Sequence, residues 1–269
     1  MRILVTNDDG IHADGLTVLE NIARSMSDDV WVVAPEAEQS GASHSLSLSD
    51  PVRMRQIGEK RFAIKGTPTD CVLMAVSKAM PQRPDLVLSG VNRGHNIADD
   101  VTYSGTIAAA MEGAALGIKS IAVSQAQGIS SQDIISYEPT IQKGPQIITD
   151  LAKLDIGPGG LLNVNFPDCP PDEIKGVEAT RQGRRDQNNF ELAEREDGWG
   201  KPYYWFGFRR ERSNPAPGTD LWALYQNYVS VTPLHLNLTH VEALDSVRSA
   251  LTASSYPEQD KPKLDNNPA

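Results

Sequence analysis

The chain has 269 residues, a formal net charge of −10, 39% hydrophobic residues and only 6% aromatic ones. That hydrophobic share fills a real core, which excludes a disordered chain or a stapled mini-protein, and the length suits one large or two small domains. The acidic balance opposes binding to long nucleic acid or to an anionic membrane, both of which recruit Lys and Arg.

Ile3-Leu4-Val5 is a continuous apolar run, typical of a buried strand. Asp14 to Met26 follows, with Leu16, Leu19, Ile22 and Ala23 at helical spacing. Val30 to Ala34 reads as a second strand, closed by Pro35. Thr67 to Met80 reads as one helix: Pro68 suits a first turn, and Val72, Leu73, Val76 and Met80 form a stripe. Asp85 to Ser89 is a third strand, Ser104 to Leu116 an Ala-rich helix, and Ser120 to Val123 a fourth strand. This alternation predicts an α/β fold with a doubly wound, mostly parallel, Rossmann-like sheet.

The second half differs. Leu161 to Phe166 looks like one more sheet strand, and Arg181 to Asn214 then turns charged, Gly-containing and aromatic. Tyr203-Tyr204-Trp205-Phe206-Gly207-Phe208 has strong β propensity without polar alternation, which predicts a projecting hairpin that packs on something else. Tyr228 to Thr232 reads as a strand, and Val241 to Leu251 as a helix with Val241, Leu244, Val247 and Leu251 on one face. Ser254 to Ala269 is polar and Pro-rich, the composition of a disordered tail. The expected organisation is an α/β core over 1–180, a hairpin and C-terminal segment over 181–253, and the tail over 254–269. Two cysteines, Cys71 and Cys169, make no disulfide framework, and they read as reduced thiols. The N-terminus turns acidic at Asp8 too early for a signal peptide, and no apolar run reaches the roughly 18 residues of a membrane span, so a cytoplasmic location is expected.

Several polar residues follow strands, and in a parallel sheet the loops after the strands' carboxyl ends share one crevice. Asp8-Asp9-Gly10 follows the first strand, the loop Glu36 to Ser45 the second, and Gly90 to Asn96 the third. Folding can gather Asp8, Asp9, Ser40 and Asn92 there, an oxygen set suited to Mg²⁺, Mn²⁺ or Ca²⁺. An exposed acidic turn is the plainer alternative for the Asp pair. Ser104-Gly105-Thr106 opens a helix and offers amides to a phosphate, or serves as an ordinary cap. His44 can contact a phosphate or protonate a leaving oxygen, or stand as a solvated loop residue. Arg93 suits an anion or a surface salt bridge, and Asn96 a substrate contact or a turn. His12, His95, His235 and His240 show no ligand spacing and read as structural or exposed.

Together these stretches resemble the SurE-type survival-protein nucleotidases. The matching segments are Arg2 to Gly10, Val33-Ala34-Pro35, the Ser40 to Ser45 loop, Gly66 to Val72, Ser89 to Gly94, Tyr103 to Thr106 and Tyr228 to Leu234. The resemblance runs from Met1 to about Thr239, and the ordered set is far more specific than any one motif. It implies a metal-dependent phosphatase of nucleoside 5′- and often 3′-monophosphates, with short polyphosphate as a further substrate of some members. It implies one divalent ion per subunit, Mg²⁺ or Mn²⁺, on Asp8, Asp9, Ser40 and Asn92, and phosphate contacts from Ser104, Gly105 and Thr106 with Asn96 and His44 nearby. It also implies a homodimer or homotetramer in which the hairpin and C-terminal segment exchange between subunits.

The expected chemistry is metal-assisted hydrolysis of a phosphate monoester. The helix terminus would hold the phosphate oxygens, Asp8 or Asp9 would take a proton from water, and His44 would protonate the leaving oxygen. Three other readings stay open. An aspartyl-phosphate phosphatase is one, although a second Asp two positions after Asp8 would be typical and Gly10 stands there. A metal-dependent nucleotide sensor without turnover is another. An oligomeric scaffold explains Tyr203 to Phe208 but leaves the polar loops unexplained.

Overall fold

The computed structural model describes residues 1–127, 135–185, 190–208 and 214–253, so the expected tail over 254–269 lies outside the described residues. The strands are β1 (Arg2–Thr6), β2 (Asp29–Pro35), β3 (Arg53–Gly58), β4 (Arg61–Lys65), β5 (Leu86–Arg93), β6 (Lys119–Gln125), β7 (Gly160–Phe166), β8 (Gly176–Ala179), β9 (Phe190–Glu196), β10 (Pro202–Phe208) and β11 (Tyr228–His235). The helices are α1 (Asp14–Met26), α2 (Pro68–Met74), α3 (Gly105–Ala115), α4 (Glu138–Leu151), α5 (Asp220–Tyr225) and α6 (Leu244–Ala253).

Nine strands form one sheet in the order β3-β4-β2-β1-β5-β6-β7-β11-β8. The run from β4 to β7 is parallel throughout. β3 and β11 lie antiparallel to β4 and β7. The expected doubly wound, mostly parallel sheet is therefore present. From β1 the chain adds β2 and β4 on one side, then crosses to add β5, β6 and β7 on the other. The order reverses between β1 and β5, and ligands of such sheets bind outside the strands' carboxyl ends at that point.

β1 shows why its sequence is apolar without alternation: both faces are covered. Ile3 and Val5 pack with Leu16, Leu19 and Ile22 of α1 and Ile148 of α4. Leu4 packs on the other face with Cys71 and Val72 of α2 and Ala109 of α3. α3 has eight buried residues and is Ala-rich because it lies tight against the sheet.

β9 and β10 form the expected hairpin as a separate antiparallel sheet. Its aromatic strand leaves Trp205 and Phe206 65% and 74% exposed. The helix expected over Thr67 to Met80 divides: α2 ends at Met74 and a π-helical turn spans Ala75–Ala79. The helix expected over Val241 to Leu251 begins as a 3₁₀ turn, Val241–Ala243, before α6. α4 was not foreseen, because Gly144 and Pro145 inside it look like breakers. Packing holds it: a Cβ at Gly144 would come within 2.9 Å of Ile22 Cδ1. The β3–β4 hairpin, β8 and α5 are too short to leave a clear periodicity in the sequence. Among the described residues no helix is long and apolar enough to cross a membrane.

α2 starts on a capping box. Thr67 Oγ1 accepts from Asp70 N at 3.1 Å, and Asp70 Oδ2 accepts from Thr67 N at 2.8 Å. Thr67 Oγ1 also donates to Ser45 O at 2.8 Å, tying the β2–β3 loop to the helix. Replacing Thr67 with Ala should lower stability by about 1–2 kcal/mol in urea unfolding, whereas Thr67→Ser should lose markedly less.

Candidate active site

β1 ends at Thr6, and Asn7 makes the turn that follows. Its Nδ2 donates to Gly10 O at 2.9 Å and its Oδ1 accepts from Gly10 N at 3.2 Å. Asp8 and Asp9 therefore stand at the carboxyl edge beside β5. Asp8 is 4% exposed, and its Oδ1 accepts a hydrogen bond from the Thr106 hydroxyl. A Cβ at Gly105 would lie 2.8 Å from Asp8 Cβ, so only glycine lets the start of α3 come this close. Asp9 Oδ2 accepts from Arg93 N at 3.1 Å, at the end of β5, which runs on through Asn92 past the expected end at Ser89. Asp8 O accepts from Gln39 N at 2.8 Å, which brings in the loop after β2.

Burial pushes the Asp8 carboxyl up to about 6; the Thr106 bond opposes this and the Asp9 charge adds to it. Asp9 is also raised, first by burial and further by Glu38, against the Arg93 amide. Two adjacent desolvated carboxylates need a counter-charge to ionise together.

The four predicted metal ligands suit a hard cation. Ser40 Oγ donates to Glu38 Oε1 at 2.7 Å, which commits its proton and leaves its lone pairs. Asn92 Nδ2 donates to Gly94 O at 2.8 Å, which leaves Oδ1 as its acceptor end. Asp8 and Asp9 each have one oxygen oriented by a neighbour, as supporting partners of a metal site do. Among the described residues no three His, Cys, Asp or Glu are grouped so as to hold a metal ion by themselves, so a cation here would use the hydroxyl and amide as well.

At the α3 start the cap reading of Ser104 is realised: its Oγ accepts from Ile107 N at 3.1 Å. The first intrahelical bond is Ala108 N to Ser104 O at 3.0 Å, so the Gly105 amide precedes it at the helix end, while the Thr106 amide, like its hydroxyl, bonds the Asp8 carboxylate. Thr106 itself serves Asp8. Asn96 is 8% exposed and is clamped at its backbone. Its N donates to Asn165 Oδ1 at 2.8 Å, and its O accepts from Asn163 Nδ2 at 2.8 Å and Asn165 Nδ2 at 3.2 Å. Its Nδ2 gives one proton to Ser124 Oγ at 3.0 Å and keeps a second. Two residues on, Asp220 Oδ2 accepts from Ala98 N at 2.8 Å.

His44 goes elsewhere. Its Nε2 sits 3.0 Å from Glu112 Oε2. Glu112 lies seven residues after Gly105, about 10 Å along the axis of α3 from the phosphate-facing end. His44 thus fastens the loop that carries Ser40, together with Ser43 N to Tyr103 O at 3.2 Å.

Residues that the sequence did not mark as functional also meet here, beside Arg93, which it did. Beyond Asp9 a cleft of about 440 Å³ is lined by His12, Asp14, Glu38, Arg93 and Tyr137. Burial, with Asp9 and Asp14 adding, pushes the Tyr137 phenol up to about 12, so it keeps its proton. Its hydroxyl would lie 3.1 Å from a Cβ at Gly15, against the start of α1. Only Gly15 hints at this packing in the sequence, as a glycine in the first turn of a helix.

The raised Asp8 has a definite sign in stability. Its contribution is fully present below about 3.8 and is lost as pH rises through about 6. Without divalent cations, Asp8→Asn should therefore gain on the native chain between pH 4 and pH 7, by on the order of 3 kcal/mol. Urea midpoints of both proteins across that range measure it, and a constant difference would count against the buried ionised Asp8.

A family model described as "Survival protein SurE" matches residues 3–189. A "5′-nucleotidase SurE" of Methylorubrum extorquens (strain PA1) is 56% identical over 254 residues, 94% of this chain and 100% of the relative. One from Parvibaculum lavamentivorans is 53% identical over 96% of this chain and 94% of its own length. The crystal structure of the SurE protein from Aquifex aeolicus matches with a TM-score of 0.80 at 38% identity, covering 93% of this chain and 100% of that one. With the switch-point carboxylates, the α3 amides and these matches in hand, the chain belongs to the SurE family of survival proteins.

Proposed function

We propose that this chain is a phosphomonoesterase that hydrolyses nucleoside 5′-monophosphates, and 3′-monophosphates by the same groups, to nucleoside and phosphate. Relatives at 53–56% identity carry the name 5′-nucleotidase, and this supports the substrate class. The observation that carries the reading is the contact of Asp8 with Gly105 and Thr106, which sets a carboxylate pair directly beside helix amides.

Asp8, Asp9, Ser40 and Asn92 would hold one divalent cation, Mg²⁺ or Mn²⁺. When bound, such an ion supplies Lewis-acid polarisation of a phosphoryl oxygen and lowers the pKa of water. The chain's own residues do the rest. The Gly105 amide binds a phosphate oxygen and stabilises it as charge redistributes, while the Thr106 amide and hydroxyl hold Asp8 beside it. Thr106 and the Arg93 amide fix the two carboxylates, and one of the pair takes the proton of the attacking water. Asn96 presents its second amide proton to the phosphate from a backbone locked by Asn163 and Asn165. His44 fastens the Ser40 loop through Glu112, and the carboxyl that has taken the water proton delivers it to the leaving oxygen.

Assembly belongs to the same proposal. Tyr204, Trp205 and Phe206 expose 51%, 65% and 74% of their surface, an aromatic patch that suits a second copy of the chain. A dimer or tetramer with exchanged hairpins and C-terminal segments would bury it. The free thiols Cys71 and Cys169 fit a reducing cytoplasm.

Phosphate release from mononucleotides and short polyphosphate, with Mn²⁺, Mg²⁺ or a chelator, tests the activity. Turnover should vanish in the chelator, and Asp9→Asn should lose roughly a hundredfold or more at saturating cation. Full activity of Asp9→Asn would remove the carboxylate pair from the reaction. Deleting residues 187–214 should yield smaller particles by light scattering; an unchanged mass would count against the hairpin as a bridge.

A further inference from the structure

The phosphate-holding groups do not explain the cleft beside Asp9. Asp8 faces α3, which covers one side of the sheet, whereas Asp9 lines a space bounded by the start of α1 on the other side. The carboxylate pair thus stands between the α3 amides and the cleft. A phosphate seated on α3 with its leaving group turned away from the helix would extend over that pair toward the cleft.

Size and chemistry restrict what the cleft accepts. Its volume of about 440 Å³ falls within the roughly 300–1,000 Å³ of small-molecule sites. The rings of His12 and Tyr137, with Ile135 and Ala13, offer flat and apolar surface. With Asp9 given to the cation, Asp14 and Glu38 still outnumber Arg93 there, so a second phosphate would meet net repulsion. Carboxylates at such a wall accept hydrogen bonds from hydroxyl and amino groups.

We propose that this cleft is the subsite for the leaving nucleoside, with Tyr137 and His12 packing on its rings and Asp14 and Glu38 accepting from its hydroxyl or amino groups. It selects a neutral, ring-bearing leaving group over a further phosphate. The assignment rests on the phosphatase reading above and adds the part of the chain that chooses the substrate.

The test compares kcat/KM for AMP, ribose 5-phosphate and tripolyphosphate with Mn²⁺ supplied. Tyr137→Leu and His12→Ala should each reduce AMP turnover about tenfold more than ribose 5-phosphate turnover. Equal losses on both esters would overturn the subsite while leaving the phosphatase reading intact. Asp14→Asn should raise tripolyphosphate use relative to AMP; an unchanged ratio would overturn the role given to its charge. A measurement on unaltered protein guards against misfolded variants. Free adenosine should inhibit ribose 5-phosphate hydrolysis competitively and far better than ribose does, and equal inhibition by the two would overturn the subsite. Unaltered protein that releases phosphate from neither AMP nor ribose 5-phosphate would overturn the phosphatase reading itself, and the subsite with it.

Discussion

A buried carboxylate at the end of β1 is the constraint around which this molecule is arranged. Asp8 is 4% exposed with Asp9 beside it, and desolvation alone would make such a pair unfavourable to ionise. The surrounding elements supply partners in turn. Thr106 donates from α3, Arg93 N from the end of β5, and Gln39 N ties the loop after β2 to the Asp8 carbonyl. Gly105 exists as glycine so that a helix end, with its partial positive charge, can press against the carboxylate. These partners offset part of the desolvation and leave the remainder for a cation, a trade between stability and chemistry common at functional sites.

The second half of the chain acts on the same constraint from below. β7 is buried along its whole length yet carries Asn163 and Asn165, which no packing argument requires. Their side chains hold both backbone groups of Asn96, and Asn165 Nδ2 also donates to Asn163 Oδ1 at 3.1 Å. A buried polar network of this kind is favourable only when its members are satisfied, and then it fixes a single geometry. Asp220 extends the clamp: its Oδ1 accepts from Gly183 N at 2.8 Å while its Oδ2 holds Ala98 N. The segment between Asn96 and Ser104 is thereby anchored to strands and loops far along the chain. The C-terminal part thus completes the site's floor as well as the sheet.

What could be read in advance follows from the range of the interactions. Strands covered on both faces announce themselves as apolar runs, as Ile3-Leu4-Val5 does, and Asp8, Asp9, Asn92 and Gly105 could be named because each follows a strand or opens a helix. α4 could not, since Gly144 and Pro145 signal a break that packing against α1 overrides. His44 looked like a phosphate ligand from its Ser-rich loop, and a partner 68 residues away fixes it elsewhere. Asn163, Asn165 and Asp220 owe their importance to bonds spanning 67, 69 and 122 residues. Local periodicity carries no trace of such contacts. Tyr137 belongs with them: it matters because its hydroxyl meets the α1 start, and residue type alone gives no sign of that.

Net charge of −10 does not decide where an anion binds on this protein. Charges beyond a Debye length of about 10 Å are largely screened at 0.1 M salt, so the local arrangement governs. The two helices that flank the carboxylate pair differ in a telling way. α3 has no acidic residue in its own first turn; its end meets Asp8 through Thr106 and leaves the Gly105 amide for a ligand. α1 carries Asp14 in its first turn, which uses up that helix's attraction for an anion. One side of the sheet edge is therefore receptive to a phosphate, and the other side accepts hydrogen-bond donors and repels a second negative charge. Charge thus favours a molecule that is anionic at one end and neutral at the other when its anionic end lies toward α3 and its neutral end toward the cleft beside Asp9.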